Sequence, residues 1–271
     1  MSSQQGISFL YQFDLGNYNL TNFGANILSV TSTAAGDFDK GNLTTDILSQ
    51  TWRSANTIGW QEIVIEADVQ SRIDTFAILN HNLSETAIVY VQANISNNFL
   101  APPVNFLVPY QEKHLILCQD FGAAYKYYKV KILDPANACG YIEIGRIVGG
   151  RAFTFDNSKG EDITDDIDLA WEDYAETMKT EGFFRVSNER IKTRTLSVNF
   201  SKLNTIMGMN KNWLGLRHFI NYVGVSKPFL TIVDRNDPSF ISLWGQLKDL
   251  PNERFTINRF VNLSLKIEET W

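Results

Sequence analysis

Histidine is scarce in this sequence: His81, His114 and His218 are the only three among 271 residues. Histidine is the commonest general acid–base group in enzymes, so acid–base chemistry has few places to start. His114 opens an apolar, strand-like run and His218 lies on an apolar helical stripe, and both read as structural. The compact signatures of catalysis are missing as well. There is no Gly-x-Ser-x-Gly elbow, no Walker loop, no His-Glu-x-x-His and no Cys-x-x-Cys. Gly145–Arg151 is glycine-rich but lacks the strand–loop–helix setting of a phosphate cradle. The 30 Asp and Glu residues are too many to single out a glycosidase pair. The expectation is a protein that is not an enzyme and uses no cofactor.

Cysteine is scarcer still. Cys118 and Cys139 stand in separate strand-like segments without metal-ligand spacing, and read as reduced, mostly buried thiols. A disulfide would need their Cα atoms within about 7 Å. No apolar run approaches the ~20 residues of a membrane span. The N-terminal MSSQQGISFLYQFD lacks a basic segment followed by an apolar one, so a secretory leader is not expected and synthesis in the cytoplasm is. The Asn-x-Ser/Thr triplets at Asn42, Asn82 and Asn94 therefore carry no implication of glycosylation. Basic residues are outnumbered, 24 to 30, giving a net charge of -6. That balance disfavours gripping a phosphate backbone and argues against nucleic acid as a partner.

What is abundant is apolar and aromatic. Hydrophobic residues make up 44% and aromatic residues 13% of the chain, which suits strands and contact surfaces. A short strand is expected at 27–32. From Trp60 onward, short β-branched and aromatic runs recur at 61–66, 72–79, 86–93, 113–118, 127–133 and 141–148. Turn residues separate them and no long helical pattern intervenes, which predicts an antiparallel sandwich of two stacked sheets. "GDFDKGN" (36–42) resembles the first half of a calcium loop but lacks the closing Glu, and reads as a solvated turn with no metal.

After Gly149-Gly150 comes an acidic stretch, 156–181, that reads as a solvated or partner-facing arm. Its later part, Ile167–Met178, admits a short helix. A second β-rich segment follows, with strands expected at 183–187, 194–200, 229–234, 242–247 and 261–268. The best helix lies at 204–222, where Trp213, Leu216, Phe219 and Ile220 recur at helical spacing before Gly224. The expected organisation is therefore 1–150 as a sandwich with an N-terminal extension, 151–182 as an acidic linker, and 183–271 as a β-rich assembly domain.

The stretch from Thr51 to Asn94, "TWRSANTIGWQEIVIEADVQSRIDTFAILNHNLSETAIVYVQAN", raises a sharper question. It joins Trp-Arg and an Asn-His-Asn cluster to clean strand alternation. Together with "YYKVKILDP" and "YIEIGRIVGG", it resembles the discoidin-like, or galactose-binding-like, jelly-roll β-sandwich. More narrowly, it is similar to the versions in tail and baseplate proteins of bacteriophages. The resemblance covers roughly residues 25–150. The later "RTLSVNFSKL" and "PFLTIVD…LWGQLK…NLSLKIEE" look more loosely like C-terminal β-domains of phage tail proteins.

The resemblance implies a mainly β fold, a jelly-roll/galactose-binding-like β-sandwich followed by a second β-rich domain carrying one helix. It implies a structural component of a tailed-phage virion, in the tail tip, baseplate or distal tail, assembled as a homo-oligomeric ring with other phage tail proteins. The alternative is a carbohydrate-binding adhesin module that contacts a host-surface glycan. For that alternative, Trp52, Arg53, Trp60, His81 and Asn82 are the candidate ligand-binding residues, because aromatic rings stack on sugars while Arg, Asn and His supply hydrogen bonds. Against it, Trp52 and Trp60 suit a sandwich core, and Asn80 suits a turn that His81 and Asn82 help to order.

Overall fold

The computed structural model describes residues 7–10, 25–155, 166–173, 176–179, 185–188, 192–204, 211–255 and 260–270. In chain order the strands begin with β1 (Ser8–Leu10), β2 (Ala25–Val30), β3 (Trp52–Arg53), β4 (Gln61–Ser71), β5 (Thr75–His81) and β6 (Ile88–Asn94). They continue with β7 (Val104–Leu107), β8 (His114–Leu117), β9 (Tyr125–Leu133), β10 (Glu143–Gly150), β11 (Phe153–Thr154) and β12 (Asp166–Glu172). The last are β13 (Glu176–Lys179), β14 (Arg185–Asn188), β15 (Thr193–Asn204), β16 (Phe229–Ile232), β17 (Ser242–Leu247), β18 (Arg254–Phe255) and β19 (Phe260–Glu269). Among the described residues one α-helix, α1 (Lys211–Val223), interrupts them, and the protein is mainly β. Among the described residues, no helix is long and apolar enough to cross a membrane.

The chain forms two compact units. The first is drawn from 1–155 and 228–244, the second from 156–227 and 245–270. Composition alone put 228–244 with the C-terminal domain. In the structure, β16 pairs antiparallel with β1, Ser8 opposite Ile232 and Leu10 opposite Leu230. Pairing between segments so distant in sequence leaves no mark on the local composition of either.

Within the first unit, five strands run in the order β2-β4-β9-β6-β7 and four in the order β3-β10-β5-β8. Each sheet gives one face to a shared core. Ile63, Ile65, Val91, Val130 and Ile132 come from the five-stranded sheet, and Trp52, Phe76, Ile78, Leu115 and Ile144 from the four-stranded one. Two sheets on one core make a β-sandwich. Each Ile or Leu so buried contributes roughly 1.5–3 kcal/mol. In β9 the period of two is plain: Tyr128, Val130 and Ile132 are buried, while Tyr127, Lys129 and Lys131 are half-buried on the other face.

The four-stranded sheet is covered on both faces. Its second side, with Ala77, Leu79, Ile116 and Val148, packs with Leu10, Leu48, Leu230, Ile232 and Trp244. That double burial explains why β5 and β8 read as unbroken apolar runs and not as alternating ones.

The second unit holds β19-β15-β12, with β18 and the end of β17 also paired to β19. β13 and β14 pair separately. The short helix considered over Ile167–Met178 is not formed in its described residues, 167–173 and 176–178. Instead β12 runs in seven-residue register with β15, from Asp166 opposite Asn199 to Glu172 opposite Thr193. Ile167, Leu169 and Trp171 alternate with Asp166, Asp168 and Ala170, a strand period that the long β15 can template. Residues 156–165, 174–175 and 180–181 of the proposed arm lie outside the described residues.

Helix α1 begins at Lys211, and residues 205–210 of the expected helix also lie outside the described ones. Leu216, Phe219, Ile220 and Val223 form its buried stripe, and His218 is exposed. The helix stops at Gly224, whose φ of 54° suits a left-handed cap and whose N–H donates to Ile220 O at 2.9 Å. Both cysteines are free. Burial pushes the Cys118 thiol up to about 11. Cys139 is exposed, because it sits in the turn between β9 and β10 and not in a strand.

Candidate functional site

The sequence candidates fall into two groups in the folded first unit. Trp52, Arg53, His81 and Asn82 converge on one end of the four-stranded sheet. Strand pairing brings them together: Arg53 lies opposite Glu143, Trp52 opposite Ile144, and Ile144 opposite His81. The Trp52 side chain is fully buried in the sandwich core, with Nε1 donating to Thr33 Oγ1 at 3.4 Å. The Arg53 guanidinium is clamped between the rings of Phe38 and Tyr141, 3.8 and 4.1 Å from their centroids. Its Nη2 donates to Glu143 Oε2 at 2.8 Å.

Asn80-His81-Asn82 closes this end as a hydrogen-bonded turn. Asn80 takes a φ of 51°, in the left-handed region that asparagine tolerates, and its Nδ2 donates to Leu48 O at 3.0 Å. Gly145 leaves room for it. A Cβ there would lie 2.6 Å from Leu48 O and 3.1 Å from Asn80 Cβ. Asn82 donates from Nδ2 to Tyr141 O at 3.0 Å and accepts the Glu143 N–H at 2.8 Å. Behind it, the buried Asp134 accepts the Ser84 N–H at 2.9 Å and Asn137 Nδ2 at 3.1 Å.

His81 has both ring nitrogens engaged. Its Nδ1 accepts the Leu83 N–H at 3.2 Å, which leaves Nε2 to donate to Gln111 O at 3.0 Å. This is a neutral imidazole. Burial holds its pKa down, to about 4, against smaller opposing effects from the Gln111 carbonyl and Asp134. The polar groups of His81 and Asn82 are thus spent within the protein. His114, also buried, accepts the Asn80 N–H at 3.2 Å through Nδ1.

Trp60 stands apart from this network. It precedes β4 on the outer side of the five-stranded sheet and is 37% exposed. Its ring lies 6.1 Å from that of Tyr90, and Lys131 Nζ sits 4.6 Å from its centroid. The sheet register aligns Glu62, Lys131, Tyr90 and Leu107 in one row across β4, β9, β6 and β7. Leu107 is 57% exposed. In the adjoining row Lys129 binds Glu62 Oε2 at 2.8 Å, and Gln92 donates to Asn105 Oδ1 at 3.1 Å. An aromatic and aliphatic strip therefore runs beside cations, a carboxylate and amides. Such a surface can stack the C–H face of a pyranose while its rim bonds hydroxyls.

Tyr90, Lys131 and Leu107 were not among the residues singled out from sequence. The alternation of β6 and β9 assigns each to an outer face, but only the register brings them into one row. Among the described residues, no group of His, Cys, Asp or Glu gathers to hold a metal ion.

The sequence matches no family model and no curated protein. Similar solved structures exist for about half of the chain. One is the C-terminal domain of a chitobiase from Bacteroides fragilis, 17% identical over 49% of this chain and 95% of that one, with a TM-score of 0.38. A family 32 carbohydrate-binding module of Clostridium perfringens NanJ, solved with galactose, is 16% identical over 47% of this chain and 92% of its own, with a TM-score of 0.34. Reduced XRCC1 bound to the catalytic domain of DNA polymerase β is 11% identical over 51% and 97%, with a TM-score of 0.38.

Proposed function

We propose that this chain is a non-catalytic binding protein whose first unit holds a saccharide on the outer face of its five-stranded sheet. The observation that carries this reading is the contrast between two tryptophans. Trp52 is sealed in the core, whereas Trp60 lies at the surface beside Tyr90, Lys131 and the exposed Leu107. A partly exposed indole with a second ring alongside and bonded polar groups at its edge suits a sugar face and its hydroxyls. Trp60→Ala is expected to weaken binding to an immobilised galactose- or glucosamine-containing oligosaccharide by up to about tenfold, on the scale of one lost aromatic stack. The unfolding midpoint should stay unchanged. Full-strength binding by the variant, or silence of the wild type across a glycan array, would refute this reading.

A second reading, a subunit of an assembled phage tail particle, is favoured by β12. On that strand Leu169 is 37% and Trp171 65% exposed, and among the described residues its sheet partner is β15 alone. Exposed apolar side chains on a strand with an open edge invite a second chain. Sedimentation at micromolar concentration is expected to show a homo-oligomer that Trp171→Lys dissociates. A wild-type monomer would count against the assembly role.

A further inference from the structure

The second unit carries a cleft of about 450 Å³. We propose that it binds an acidic saccharide, a site separate from the sheet face of the first unit and independent of the reading given to that face. Its floor follows from strand alternation. Val261, Leu263, Leu265 and Ile267 are buried on one side of β19, so Asn262, Ser264 and Lys266 lie on the other. The register then sets Asn199 of β15 opposite Ser264, and Arg254 of β18 opposite Asn262. The loop leading from Asp249 to Arg254 walls the cleft.

The charges point to the ligand. Arg53, Arg72, Arg146, Arg194, Arg217 and Arg235 each hold a carboxylate. Arg254 and Lys266 both line the cleft, and neither has an ion-pair partner among the described residues. Asp249 is the one carboxylate in the lining, so the cleft keeps a net charge of +1.

The neutral part of the lining defines the rest of the ligand. Asn199 and Ser264 offer amide and hydroxyl groups suited to sugar hydroxyls. Phe200, the aromatic residue of the lining, is buried and gives no stacking face. The volume far exceeds a bare anion and falls in the range of about 300–1,000 Å³ typical of small-molecule sites. A sugar acid satisfies both halves: its oxyanion meets Arg254 and Lys266, and its hydroxyls meet the floor.

The test is titration calorimetry of the full chain with sialyllactose and digalacturonate, with lactose as the neutral control and inorganic phosphate as the bare anion. One or both acidic sugars are expected to bind about tenfold or more tightly than lactose, and to weaken as salt is added. Arg254→Ala combined with Lys266→Ala should abolish that preference without moving the unfolding midpoint. In the wild type, the amide resonances of Asn199 and Ser264 should shift on binding, a readout that does not depend on the variant folding. Trp60→Ala should remove lactose bound at the sheet face of the first unit and keep the acidic sugars at the cleft, which separates the two sites. The proposal falls if neither acidic sugar outbinds lactose in Trp60→Ala, if phosphate binds as tightly as the acidic sugars, or if their shifts map away from β15 and β19.

Discussion

Arg194→Leu alone is expected to destabilise the second unit by about 3 kcal/mol, because it strips both guanidinium bonds and the compensating charge from a buried carboxylate. Arg194 donates from Nε to Glu269 Oε2 at 3.0 Å and from Nη2 to Oε1 at 2.7 Å. The two side chains are 16% and 2% exposed. Its backbone N–H adds a third bond to Oε2, at 3.2 Å. Two parallel bonds of this kind match the planar guanidinium to the carboxylate, and a lysine could not reproduce them.

The net worth of the pair is nevertheless small, since both charges gave up water to form it. The double variant Arg194→Leu, Glu269→Leu is therefore expected to recover most of the loss, to within about 1 kcal/mol of the wild type. Urea denaturation of the four proteins of the cycle measures this, and hydrogen exchange at β15 and β19 assigns the change to this unit. A double variant as unstable as Arg194→Leu would show that packing, and not the uncompensated charge, sets the cost.

The second large effect is a pH dependence centred on His81. Its folded pKa lies near 4, below the ordinary 6.5, because the ring is buried. As pH falls below 6.5 the unfolded chain takes up a proton that the folded ring resists, so stability declines until about pH 4, where the folded ring titrates too. The shift corresponds to a loss of about 3 kcal/mol across that window. His81→Gln forfeits hydrogen bonds at all pH values but has no proton to take up. Its deficit relative to the wild type should therefore be largest near pH 7 and narrow steadily toward pH 4. A gap that stays constant over this range, or an imidazole that titrates near 6.5 by NMR, would contradict the arrangement around Gln111 and Leu83.

Much of the first unit was legible from alternation and turn residues. β4, β6 and β9 carry a period of two that fixes which side chains face the core, and Asn80 announces a turn through its tolerance of positive φ. The cover on the second face of the four-stranded sheet was not legible, since it depends on β1 and β16 meeting across most of the chain. The candidate site divided along the same line. Residue type and parity single out Trp60 as an aromatic at the start of a strand. Its partners Tyr90, Lys131 and Leu107 become neighbours only through inter-strand register, which no local pattern encodes. Conversely Arg53, His81 and Asn82 look like binding residues by type, and the fold commits their polar groups to Glu143, Gln111, Leu83 and Tyr141.

The central claim is that a saccharide rests on Trp60 at the outer sheet face. Its most direct test follows the indole N–H resonances of the six tryptophans during titration with an oligosaccharide retained on a glycan array. The Trp60 resonance is expected to move in a saturable manner, with the amides of Tyr90 and Lys131 moving alongside it, while that of Trp52 stays fixed in the core. A saturable titration that shifts Arg53, His81 and Asn82 and leaves Trp60 unmoved would place the ligand at the other end of the sandwich and contradict the account.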